Sequence, residues 1–246
     1  MEQQLADYGL WLALVLGLVL GLKHSIEPDH VVAVSTIVNE YRNPLRAFWV
    51  GISWGLGHTA TLFLVGIAII ALRLTIPDSL ALFLEFAVGI MLVGLGAQVI
   101  YNYRNKKIHQ HEHDHELDAH RHFHSHQTDP EHSPVHHVLR AVGKPFLRKK
   151  SFFVGTVHGL AGSAALTLVV LTYIESPLAG LTYIAVFGLG SVLSMGVMTI
   201  IISMPIVFSA NRLPNLNRYI QPGVGVISIL FGVYWMYRIG FAQGLF

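Results

Sequence analysis

Six stretches of this sequence carry no Asp, Glu, Lys or Arg, at 8–22, 47–72, 86–103, 151–174, 176–211 and 219–237. Most of them approach or exceed the roughly 20 residues with which a helix crosses a bilayer. Hydrocarbon cannot hydrogen-bond a bare backbone, so runs of this kind fold as helices with every peptide group satisfied inside the segment. They are continuously apolar and lack the period-two alternation of barrel strands, which makes a β-barrel reading poor. The chain is 53% hydrophobic and 12% charged, with a mean hydropathy of +0.54, outside the range of a soluble domain of this length. The expected class is an all-α membrane protein with about six transmembrane helices, at about 9–28, 47–72, 80–103, 151–173, 178–209 and 219–241. Met1 to Tyr8 holds no Lys or Arg, so a cleavable leader is not expected and the first span is read as retained. Cysteine is absent, which excludes thiolate metal sites and dithiol chemistry.

Charge is strongly one-sided between the spans. The connections 39–46, 104–150 and 210–218 hold Arg42, Arg46, Arg104, Lys106, Lys107, Arg121, Arg140, Lys144, Arg148, Lys149, Lys150, Arg212 and Arg218, against Arg73 and Arg238 on the opposite side. The positive-inside rule makes the basic side cytoplasmic and puts both termini outside, in what is expected to be a prokaryotic inner membrane. Three segments follow: a three-helix half at 1–103, a cytoplasmic His-rich loop at 104–150, and a second three-helix half at 151–246. The loop has few apolar residues to offset the entropy of ordering and is expected to be disordered without metal. Three spans per half give the halves opposite orientations, the setting for two inverted repeats. A short echo agrees: Gly21 and His24 are followed by Asp29, and Gly155 and His158 by Ser163, at matching spacings.

Four of the 15 histidines lie outside the loop, all in or beside apolar spans. The densest group is Lys23-His24-Ser25-Ile26-Glu27-Pro28-Asp29-His30. Ionisable groups at membrane depth cost on the order of 3 kcal/mol each and normally face a bundle interior or an ion path. In an unbroken helix His24 and His30 would point about 120° apart. Pro28 removes an N–H and its ring breaks the ladder near residue 24, which lets Asp29 and His30 turn back toward His24. One helix from Leu10 to Val38 would measure roughly 43 Å, too long for a roughly 30 Å core, so the first helix is expected to be broken near Pro28. His58 and His158 sit in the second and fourth spans. Each of Gly21, Gly55 and Gly155 precedes its histidine by three residues, giving a smooth patch on the same face where another backbone can approach. Three helices converging on one ion need such patches. Neutral imidazole suits Ni, Co, Cu(II) and Zn, and a carboxylate adds charge compensation. The expected metal ligands are His24, Asp29, His30, His58 and His158, with Glu27 a carboxylate at the site mouth. A bland reading pairs His24 and His30 with Asp29 as caps on a helix break. Thr59, Thr61, Ser163 and Thr167 read as supporting hydrogen-bonding groups, Met195, Met198 and Met204 as packing, and Gly188, Gly190 and Gly196 as close helix contacts.

The loop holds eleven histidines, among them His109, His111, His113, His115, His120, His122, His124 and His126, interleaved with Glu112, Asp114, Glu116 and Asp118. Imidazole at this density binds Ni, Co, Cu or Zn with little geometric selectivity. The loop is therefore read as a store or concentrator of metal rather than part of the pore.

The H-x(4)-D-H signature at His24 to His30, followed by Gly57-His58-Thr59, resembles the nickel/cobalt transporter family. The stretch Val157-His158-Gly159-Leu160-Ala161-Gly162-Ser163-Ala164 is similar to its UreH-like branch. The resemblance implies a transporter, not an enzyme, with Ni2+ or Co2+ as transported substrate and no resident cofactor. It places His24, Asp29, His30 and His58 on the metal path. Two departures stand out: the D-T-A-T-E element of classical permeases is not visible in the second half, and the His-rich loop is similar to that of nickel/cobalt efflux proteins, leaving direction open. Partners implied are lipid bilayer, divalent metal and cytoplasmic nickel chaperones, with no nucleic acid. No G-x(4)-G-K-[ST] motif is present to bind a nucleotide. The other readings are a membrane-anchored protein that delivers nickel for urease maturation, and an exporter of a small organic or oxyanion substrate with the histidines as proton relays.

Overall fold

A computed structural model describes residues 2–39, 41, 43–72, 77–105, 109–113, 120–124, 147–160 and 176–246. Its helices are α1 (Glu2–His24), α2 (Pro28–Val38), α3 (Pro44–Leu72), α4 (Asp78–Asn105), α5 (Lys149–Gly159), α6 (Pro177–Arg212) and α7 (Pro214–Tyr237), the last running into a π-helical turn at Arg238–Ala242. Prolines set several of the starts. Pro28, Pro177 and Pro214 each occupy the first helical turn, where the missing N–H is no loss and the fixed φ is already helical. Two prolines fall inside helices, Pro205 in α6 and Pro222 in α7, as membrane helices tolerate when neighbours satisfy the freed carbonyls.

Among the described residues four helices are long and apolar enough to cross a membrane: Pro44–Leu72, Asp78–Asn105, Pro177–Ser209 and Asn215–Ala242. Ala13–His24 and Pro28–Val38 are shorter apolar stretches. The expected break is present, with α1 ending at His24 and α2 beginning at Pro28. The expected fourth span, 151–173, is described only as far as α5 and Leu160. In the His-rich segment the described residues form two short antiparallel strands, β1 (His109–His113) and β2 (His120–His124), with His109 opposite His124. Of the expected loop, 104–105 continue α4 and 149–150 begin α5, while 106–108, 114–119 and 125–146, and with them most of the expectation of disorder, lie outside the described residues.

α3 lies at the centre, packed on α5 and α6; α1 packs on α6, α4 on α7, and α2 wedges between α4, α6 and α7. These helices can approach closely because glycines line the crossings. A Cβ on Gly21 would strike the Phe187 carbonyl of α6, and one on Gly190 would sit 2.7 Å from the Leu18 carbonyl of α1. Gly57 and Gly155 close the α3–α5 crossing in the same reciprocal way, against the carbonyls of Phe152 and Trp54. At the α4–α7 crossing a Cβ on Gly232 would lie 2.7 Å from the Gly89 carbonyl. Hydroxyls then bond across the seams: Ser151 to the Val50 carbonyl (2.7 Å), Ser228 to Leu92 (2.8 Å), Ser194 to Leu22 (2.8 Å) and Thr59 to Gly188 (3.3 Å). In lipid, where apolar association gains nothing from leaving water, tight packing and such bonds are what hold helices together. Gly188, Gly190 and Gly196 are the close contacts expected of them, facing Thr59, Leu18 and Phe48. The outside is clad in exposed apolar side chains such as Val15, Leu64, Phe83, Leu178, Phe208 and Leu230.

Two apolar clusters make the interior. One joins Ala33, Val34, Ile37 and Val38 of α2 to Val50 and Trp54 of α3 and Leu92 of α4; the other joins Leu62 of α3 to Tyr183, Ile184 and Phe187 of α6. Trp54 of the first and Phe187 of the second border one polar pocket between them.

Candidate metal centre

Into that pocket point His24, the last residue of α1, Asp29 and His30 in the first turn of α2, His58 in α3 and His158 near the end of α5. All four histidines are buried, with relative exposures of 4%, 1%, 0% and 1% for His24, His30, His58 and His158. The break makes this possible. Ser25–Glu27 interrupt the helix with a turn in which the Ile26 and Glu27 amides donate to the carbonyls of Lys23 and His24, at 3.0 and 3.1 Å. That brings the His24 and His30 ring centroids to 4.2 Å, a proximity that an unbroken helix forbids.

The ligand atoms form two overlapping groups. Those of His24, His30 and His58 lie within 4.8 Å of one another, and so do those of Asp29, His30 and His158. A cation about 2.1 Å from each imidazole nitrogen spans pairs up to about 4.2 Å apart, so closing either group needs shifts of only some tenths of an ångström. His24 Nε2 and His58 Nε2 are already 3.2 Å apart. Asp29 uses both carboxylate oxygens: Oδ1 is 3.1 Å from His30 Nδ1 and Oδ2 is 3.1 Å from His158 Nε2. A carboxylate on one ring nitrogen fixes the tautomer and leaves the other nitrogen with its lone pair for a metal. In agreement, His30 Nε2 and His158 Nδ1 are buried and have no hydrogen-bond partner among the described residues. Glu27 Oε2 lies 2.9 Å from His24 Nδ1, with Glu27 about half exposed at 49%, the position of a carboxylate at the rim.

The six residues expected from the sequence, His24, Glu27, Asp29, His30, His58 and His158, thus meet in one place. The glycines ahead of the histidines also do what was expected: Gly21 abuts Phe187, Gly55 lies 2.8 Å (as a built Cβ) from the Val192 Cα, and Gly155 abuts Trp54. Thr59 and Thr61 support the neighbourhood by bonding helix to helix, Thr61 to the Thr156 carbonyl at 3.0 Å; Ser163 and Thr167 lie outside the described residues. Of the loop histidines, His109, His111, His113, His120, His122 and His124 fall in the two strands, while His115 and His126 lie outside the described residues. Two aromatic walls escaped the sequence reading. Trp54 stacks on His30 with centroids 5.6 Å apart and 19° between planes, and it meets His158 edge-on at 5.4 Å; Phe187 stands 5.7 Å from His24. A signal for Trp54 existed, since it lies four residues before His58 and so on the same face; nothing nearby in sequence marks Phe187.

Four buried imidazoles, with His30 Nε2 and His158 Nδ1 unengaged among the described residues, one carboxylate and two aromatic walls form a donor set for a borderline divalent cation. What this arrangement of described residues can do is bind and release a cation. No protein-family model matches the chain, and no solved structure matches it. The chain is similar to the urease accessory protein UreH of Bacillus sp. (strain TB-90), with 42% identity over 233 residues covering 95% of this chain and 94% of that protein.

Proposed function

The chain belongs to the UreH family, within the UreH-like group of nickel/cobalt transporters, and we propose that it carries Ni2+ or Co2+ across a membrane through the His24, Asp29, His30, His58 and His158 cluster. It is an integral membrane protein of accessory or transport type, not an enzyme, and the metal is its substrate rather than a resident cofactor. The observation that carries the transport reading is the convergence of five ligand-type side chains from four helices in two adjoining groups that share His30. Ionisable groups at such depth mark ion pathways. His30 belongs to both ligand groups, so an ion can pass from the His24 and His58 side to the Asp29 and His158 side while keeping one ligand. Conduction needs holding of this kind, firm enough for entry and weak enough for release.

Six spans, in halves 1–103 and 151–246, complete the proposed architecture, with both termini outside and the loop 104–150 in the cytoplasm, collecting metal through His109, His111, His113, His115, His120, His122, His124 and His126. The glycine crossings support inverted repeats. Gly21 closes on the Phe187 carbonyl as Gly155 closes on that of Trp54, and Gly57 meets the Phe152 carbonyl and Thr156 amide as Gly190 meets those of Leu18 and Leu22. The ring contacts follow the same exchange, His24 with Phe187 at 5.7 Å and His158 with Trp54 at 5.4 Å. His24 and His158 are then equivalent residues of the two repeats.

The test is nickel flux into or out of proteoliposomes, where His24→Ala and His30→Ala should each abolish transport. Wild-type flux in either variant would remove the cluster from the path. A second reading is favoured by the relative's name, urease accessory protein: a membrane-anchored protein that hands nickel to cytoplasmic chaperones without moving it across. Nickel binding with no flux in either direction selects that reading.

A further inference from the structure

Ser191 of α6 is completely buried, yet its Oγ has no hydrogen-bond partner among the described residues. The other serine and threonine hydroxyls of this helix behave differently. Thr182, Ser203 and Ser209 bond back to the carbonyls of Leu178, Ile200 and Ile206 at 2.8, 2.7 and 2.9 Å, Thr199 bonds to that of Met195, and Ser194 reaches the Leu22 carbonyl. A serine in a membrane helix has its own preceding turn as a ready acceptor, and leaving a buried hydroxyl unmade is costly. Ser191 therefore keeps a donor and two lone pairs for something else.

Its neighbours say where. Phe187, Ser191 and Ser194 lie on one stripe of α6 at helical spacing. Phe187 flanks the His24 ring at 5.7 Å, the Ser191 amide lies against Gly21, 3.1 Å from a Cβ built there, and Ser194 contacts Ser25. The stripe thus faces the end of α1, residues 21–25, where His24 enters the pocket. The repeat reinforces this: if Trp54 matches Phe187 and Gly57 matches Gly190, the residue matching His58 is Ser191. In the first half that position holds a buried imidazole 3.2 Å from His24; in the second it holds a hydroxyl.

We propose that Ser191 Oγ is a direct oxygen ligand to the transported divalent cation, the second-half counterpart of His58. The inference rests on the transport reading of the histidine cluster. A neutral hydroxyl is a far weaker ligand for Ni2+ or Co2+ than an imidazole. The pocket thus has a strong and a weak corner at equivalent places, and the weak one lets the ion leave.

The chain has no cysteine, so Ser191→Cys introduces the only thiol with little change in shape. Loaded with Co2+ in detergent, the full-length variant should show a near-ultraviolet thiolate-to-cobalt charge-transfer band absent from wild type. Ser191→Ala should keep or raise the melting temperature, because it removes an unsatisfied hydroxyl, while nickel flux below saturation falls by about fivefold, the size expected for one lost polar contact. No charge-transfer band in metal-loaded Ser191→Cys, or unchanged flux in Ser191→Ala, overturns the assignment while leaving the histidine cluster standing if His24→Ala and His30→Ala abolish transport. Flux that survives those two histidine substitutions overturns both.

Discussion

Asp29 Oδ2 and His158 Nε2 are 3.1 Å apart, a contact between residues separated by 129 positions. It ties the helix after the break to α5, and the second oxygen of the same carboxylate holds His30 at 3.1 Å.

Asp29→Asn keeps the shape but removes the charge and turns one acceptor into a donor, so it can no longer accept from both rings. Groups that orient metal-bound histidines typically contribute 10–100-fold to affinity, and a loss of about that size is expected for nickel. Equilibrium binding to the purified protein checks it. An affinity within twofold of wild type would mean that the carboxylate is only a cap on α2.

Gly155→Ala should damage the site without touching a ligand. Its Cβ would run into the Trp54 carbonyl and indole, forcing α5 off α3 and carrying His158 away from Asp29. Overpacking of this kind costs about 1–3 kcal/mol, read as a lower melting temperature in detergent together with weaker nickel binding. Gly94→Ala is the control, because nothing lies within 4 Å of a Cβ built there; it should melt and transport as wild type does.

Deleting residues 109–137 should leave nickel flux at saturating metal unchanged, lower it at scarce metal, and reduce the number of ions bound per chain. Transport assays over a range of nickel concentrations, with metal analysis of the purified protein, separate these effects. Loss of flux at saturation would show that the loop takes part in translocation itself.

Much of the site was legible because each part had a local cause. The uncharged stretches located α3, α4, α6 and α7, Pro28 dictated the end of α1, and the glycines ahead of His24, His58 and His158 marked where helices close. Pairing was not legible. That Asp29 would bridge His30 and His158, rather than pair with His24, depends on how α5 lies against α3, and that crossing is fixed by Gly57 and Gly155 together. Phe187 and Ser191 were missed for a related reason: an aromatic ring and a serine among apolar neighbours read as packing until a partner helix turns them toward a histidine. The boundaries moved where helix chemistry overrode hydropathy, as at α3, which begins at Pro44 ahead of the uncharged run.

The turn Ser25–Glu27 separates His24 from Asp29 and His30, so the spacing of those three side chains is set by the angle between α1 and α2. An ion gripped from both sides of that joint would act as a splint, fixing the two helices at one inclination, and its departure would leave the joint to pivot. On the transport reading, the joint between α1 and α2 would be stiffer with the ion bound than without it.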